Sequence, residues 1–189
     1  MSIAVKYFDS TMSGAPSLSG TAGSLISVLD ACLVDGFGSV TVDSLVVASN
    51  VATATVSAGH QFVMIGNTGP VIRIAGATPS GLNGDWRVTV TSSTVFTFAT
   101  SGISDQTASG TITAKRAPAG FSKVFTGTNK AAYRADDVQS TRLYLQVDDS
   151  PAQYPTLTLY EMMSDVNTGT GASTKRYFAK SSAASATAR

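Results

Sequence analysis

The chain has 189 residues, of which only 13% are charged, with thirteen basic side chains against twelve acidic ones. An average soluble protein carries about 25% charged residues, and so balanced a charge excludes electrostatic steering toward nucleic acid or an anionic membrane. One cysteine, Cys32, excludes an internal disulfide and a cysteine-based zinc site.

The opening stretch, "MSIAVKYFDS", has no apolar core of signal-peptide length, and no window approaches a membrane span. "IAVKYF" reads as a strand. "LSGTAGSLISVLDACLVDGFG" then holds the one helix. Leu25, Ile26, Val28, Leu29, Cys32 and Leu33 recur at three- and four-residue spacing and form one apolar stripe. Ser19 or Thr21 is placed to cap its start, and Gly36 sits where a left-handed C-cap belongs. Cys32, among apolar neighbours, reads as a buried inert thiol. The stripe needs a covering partner, and "RLYLQV" and "LTLYEM" are the apolar strands available for it.

From Val42 to Lys115 short strands alternate with turn signals. "SLVVA" and "VATATVS" flank Ser49-Asn50 as a hairpin. "HQFVMI" and "VIRIA" read as the next strands, followed by the turn-rich "GATPSGLNG". Gly81, Asn83 and Gly84 in that run suit turns that require positive φ. In "WRVTVT" Trp86, Val88 and Val90 share one face, the period of a half-buried strand, so Trp86 reads as core. "TVFTFA" and "SGTITAK" complete an all-β segment, predicted to fold by itself as a small sandwich or barrel. "RAPAGFSKVFTGTNKAAYRADD" reads as an irregular connection. "RLYLQVDD" and "TLTLYEMMSDV" read as paired strands, and "TGTGASTKRYFAKSSAASATAR" as a C-terminal arm.

The predicted fold class is mainly β, a small β-sandwich or barrel module inserted in an α+β base with one N-terminal helix. The predicted boundaries are 1–42 for the first part of the base, 43–115 for the module and 116–189 for the second part with its arm.

Catalytic chemistry is sought and not found. His60, the only histidine, stands at a turn-to-strand junction without a neighbouring acid and reads as a solvated turn residue. Asp148 and Asp149 are adjacent on a strand and so point apart, forming no acid–base pair. Asp165, Asn167 and Gly169 open like a calcium loop, but Arg176 stands where the closing Glu belongs. "GATPSGLNG" leads into a strand rather than a helix and so is no phosphate loop. "TKRYFAK" carries too few charges to bind nucleic acid strongly. The expectation is a non-enzyme with no cofactor, no metal, no nucleic-acid partner and no membrane partner.

Two stretches carry aromatics that a solvated linker has no use for: Phe121, Phe125 and Tyr133 in one, Tyr177 and Phe178 in the other. These five are the candidate interface residues, on flexible segments that order against a neighbour. Removal of residues 172–189 is therefore expected to leave the fold stable and weaken assembly.

"GATPSGLNGDWRVTVTSSTVFTF" resembles a small β-module of tailed-bacteriophage structural proteins. "GTAGSLISVLDACLVDGFG", "AYRADDVQSTRLYLQVDD" and "YEMMSDVNTGTG" resemble a family of phage virion-associated proteins, neck/collar or head–tail associated. The resemblance implies a virion structural subunit, a homo-oligomer or multi-copy component among other virion proteins, assembled in the host cytoplasm. It also implies relatives that continue past Arg189, so that this chain is a short or truncated form. The alternative is a receptor- or glycan-binding module of a tail or head fibre, with Trp86, Tyr154 and Tyr160 as stacking candidates.

Overall fold

The computed structural model describes residues 5–180. The tail beyond Lys180 and the first two residues of the predicted N-terminal strand lie outside the described residues. The chain forms two units. Unit 1 comprises Met1–Gly14 and Gly36–Ala117, and unit 2 comprises Ala15–Asp35 and Pro118–Arg189.

Unit 1 is all β. Its strands are β1 (Phe37–Thr41), β2 (Ser44–Ala48), β3 (Val51–Thr55), β4 (Val71–Ala75), β5 (Gly84–Arg87), β6 (Thr89–Val90), β7 (Val95–Ala99), β8 (Gln106–Thr107) and β9 (Thr113–Arg116). They form two antiparallel sheets, in the orders β1-β9-β4-β5 and β6-β7-β3-β2-β8. The β2–β3 hairpin turns through Ser49 and Asn50, both at positive φ, the twist that a two-residue hairpin loop requires. Leu45, Val47, Ala52, Ala54, Phe96 and Phe98 from one sheet meet Ile72, Ile74 and Ala114 from the other in a single core. That is sandwich packing. The "WRVTVT" run is not one strand. It changes sheets at Val88, which is fully buried and bonds to the Pro70 carbonyl.

Further expectations are corrected in unit 1. Val5–Phe8 form no strand; the segment instead straps onto unit 1 through Lys6 to Asp85 (2.6 Å), Arg87 to the Val5 carbonyl and Phe8 against the Phe37 ring. The unit's continuous stretch starts at Gly36 rather than 43, because β1 pairs with β9. "HQFVMI" is irregular, apart from a bridge between Ile65 and Thr68: its backbone joins no sheet ladder, although His60 and Phe62 are buried. Of Gly81, Asn83 and Gly84 only Gly84 stands at positive φ, +127°, whereas Asn83 is extended at −77°. Asn83 works through its amide, which accepts from the Ala77 N–H and donates to the Ala77 carbonyl, both at 2.8 Å. The glycine-rich turn is thus closed on itself by a side chain.

Unit 2 is a helix on a sheet. α1 (Ser24–Leu29) runs into one π-helical turn, Asp30–Asp35, and stops at Gly36 with φ +76°. The strands are β10 (Phe121–Gly127), β11 (Lys130–Ala135), β12 (Tyr144–Asp148), β13 (Thr156–Tyr160), β14 (Met162–Asp165), β15 (Thr168–Thr170) and β16 (Arg176–Tyr177). Five make an antiparallel sheet in the order β10-β11-β12-β13-β16, and β14–β15 is a separate hairpin. Leu25 and Ile26 pack on Ala131, Tyr133 and Val147, with Leu145 and Leu157 alongside. Each fully buried Leu, Ile or Val among them contributes about 1.5–3 kcal/mol. The expected cover for the helical stripe is therefore present, and β12 and β13 belong to it.

The stretch read as an irregular connection is instead the β10–β11 hairpin, turning at Asn129 with φ 55°. Neither Ser19 nor Thr21 caps α1. Gly23 holds the N-cap position, and the Leu25 N–H is taken by Asp149 Oδ2 at 2.8 Å. Cys32 is half-buried, and burial pushes its thiol up.

Candidate functional site

The five aromatics singled out in the sequence occupy three different settings, all in unit 2. Tyr133 is fully buried in β11 and is core, not an interface residue. Its hydroxyl donates to Asp30 Oδ1 at 2.8 Å, and burial, followed by that carboxylate, holds the phenol well above its ordinary range. Phe121 is half-buried against the helix-side core. Phe125 stacks on Tyr144 at 6.1 Å, and Arg134 lies over the other ring at 4.8 Å. These three are therefore not on a flexible arm.

Tyr177 and Phe178 remain exposed, Tyr177 at 72%. Backbone pairing places them there. β16 pairs with β13 through Thr156 opposite Tyr177 and Leu157 opposite Arg176, and the Phe178 N–H bonds to the Pro155 carbonyl. Ser173 clamps Leu159 on both backbone sides, its N–H to the Leu159 carbonyl and its hydroxyl accepting the Leu159 N–H. The result is a groove of about 690 Å³ between Leu145, Leu157 and Leu159 on one side and Tyr177 and Phe178 on the other. Leu145 and Leu157 reach the helix-side core, but Leu159 does not and stays open.

Lys180 then pins the strand. It is fully buried, and its ammonium meets Asp149 Oδ1 at 2.5 Å, the Thr21 carbonyl at 2.8 Å and Ser24 Oγ at 3.2 Å. All three of an ammonium's donors are thereby used. Asp149 in turn caps α1 with its other oxygen. Residues 172–180 are thus part of the fold, contrary to the expectation that the arm is dispensable for stability. Nothing in "KSSAASATAR" marks Lys180 for this role, since its partner lies 31 positions away.

The residues weighed for catalysis are engaged elsewhere. His60 is buried rather than solvated; its Nδ1 accepts from the Phe62 N–H, and its ring stacks on Phe62. Its Nε2 has no hydrogen-bond partner among the described residues, and burial lowers the imidazole's proton affinity. Asp148 and Asp149 take separate lysines, Lys130 at 3.2 Å and Lys180. Asp165 closes the β14–β15 turn by accepting the Asn167 N–H at 2.7 Å. Trp86 is half-buried, stacked on Phe98 at 5.0 Å, with its indole N–H given to the Leu82 carbonyl. Its polar edge is spent inside unit 1.

Comparisons of the chain with family models, with curated proteins and with solved structures find no match.

Proposed function

We propose that the chain is a non-enzymatic structural subunit of a tailed-phage particle, at the head–tail neck or collar or nearby on the virion, present in several copies. The observation that carries this reading is the open groove between Leu159 and the Tyr177–Phe178 pair. An apolar seat held open by backbone pairing is what a repeated subunit offers a neighbour. A surface with few charges also lacks the repulsion that keeps copies apart. The resemblance of the flanking segments to virion-associated proteins supplies the setting.

Leu159→Glu combined with Tyr177→Ser tests the reading. The parent protein gains mass with concentration in light scattering and enters particles when supplied during assembly. The double variant, with an unchanged circular dichroism spectrum, stays monomeric and is left out. A variant that assembles like its parent overturns the proposal.

A further inference from the structure

Unit 1 carries a cavity of about 420 Å³ between the N-terminal strap and the loop that leads into β4. That volume lies within the range of small-molecule sites. Its rim holds Val5, Tyr7, Val63 and Ile65, a cluster of large apolar side chains left in solvent, Val5 at 80% and Val63 at 64%. Three cations line it, Lys6, Arg87 and Arg116, and among the described residues no carboxylate does. Lys6 is ion-paired with Asp85.

The two arginines have neutral partners. Arg87 donates to the carbonyls of Gly69 (2.7 Å) and Val5 (3.2 Å). Arg116 is only 5% exposed, donates once, to the Gln61 carbonyl at 3.1 Å, and lies over the Phe62 ring. Among the described residues no acidic oxygen lies within 4.0 Å of either guanidinium. Tyr7 and Asp9 act on Arg116 only through space, and Asp9 Oδ1 is already taken by the Thr11 N–H and hydroxyl. A guanidinium has five N–H donors, and one of Arg116's is used. A buried cation with no carboxylate in contact is costly, and an incoming anion relieves that cost.

We propose that this cavity binds an amphiphilic carboxylate, a medium-length apolar body ended by one anionic group. The apolar rim takes the body, and the carboxylate takes the guanidinium edge, the geometry for which arginine is suited. This inference is independent of the assembly role.

The probe is octanoate, titrated into the full chain while the methyl resonances of Val63, Ile65 and Val71 are followed. Octanol and acetate are the controls. Octanoate is expected to shift these methyls and to bind roughly ten-fold or more tightly than either control, the worth of about one charge-assisted contact. Arg116→Met should remove the preference over octanol. Ile65→Glu, at an exposed position, should weaken octanoate about ten-fold with an unchanged unfolding midpoint, and it decides the matter even if Arg116→Met does not fold. Equal affinity for octanoate and octanol, equal affinity for octanoate and acetate, or no shift at these methyls overturns the proposal.

Discussion

Each unit buries a cation, and the two do so by opposite means. In unit 2 the Lys180 ammonium is enclosed with the Asp149 carboxylate and two further acceptors. In unit 1 the Arg116 guanidinium is nearly as buried, with one carbonyl, one aromatic face and no carboxylate in contact. The difference follows from the ions. An ammonium is a compact, strongly hydrated charge that must find full replacement for its water, whereas a guanidinium is delocalised and weakly hydrated and rests on a ring. In unit 2 the charge is therefore a fastener, because losing either partner strands the other. In unit 1 the buried charge stands beside the apolar core and is left with donors to spare.

The largest effect expected from this contrast is at Lys180. Lys180→Met leaves Asp149 buried and unpaired, which costs about 3–5 kcal/mol. Urea unfolding followed through amide exchange of β11–β13 should show it. The emission of Trp86, the chain's only tryptophan, reports on unit 1 and should keep its midpoint. An unchanged unit 2 would break the comparison. Next comes Trp86→Ala, which empties a half-buried site in unit 1 and should cost about 3 kcal/mol, the low end for a large aromatic. Circular dichroism during urea unfolding measures it.

The smallest effect is one of pH. Burial lowers the proton affinity of His60 in the folded protein, so unfolding allows the imidazole to take a proton at its ordinary value of about 6.5. Its contribution is present above that value and is lost as the pH falls below it toward the lowered folded value. Between pH 7 and 5 unit 1 should therefore weaken, and His60→Phe should flatten that slope. Unit 2 contains no histidine and should not respond in this window. A slope of equal size in both units would show that the two are not distinguished in this way.

Local signals in the sequence were legible. The apolar stripe of α1, its stop at Gly36, the Ser49-Asn50 hairpin and the clean alternation of β7 each depend on neighbours within a few residues. The β10–β11 hairpin was hidden for two physical reasons. Its register slips between Lys123 and Phe125, and Ala131, Ala132 and Tyr133 are buried in succession, which erases the period of two. "HQFVMI" misled in the opposite direction, since it alternates like a strand but its residues cap the sandwich interior instead. In the candidate groove Tyr177 and Phe178 were visible as aromatics without a core to join. Leu159 was not, because it alternates like its buried neighbours and only the packing of distant elements decides which of them stays open. Lys180 and Arg116 were invisible for the same reason: their meaning lies in partners distant along the chain.

The cap on α1 has a consequence for the order in which the molecule is made. Every residue of unit 1 has been synthesised once Ala117 is added, so that unit can close while the chain is still growing. The first piece of unit 2, residues 15–35, must wait. Its helix is six residues long, too short to persist in water alone, and the oxygen that caps it lies 124 positions downstream. The lysine that neutralises that oxygen's carboxylate comes 31 positions later still. Contacts of such sequence separation form slowly. The expected order of folding is therefore unit 1 first, with residues 15–35 held out as an apolar segment until Lys180 emerges.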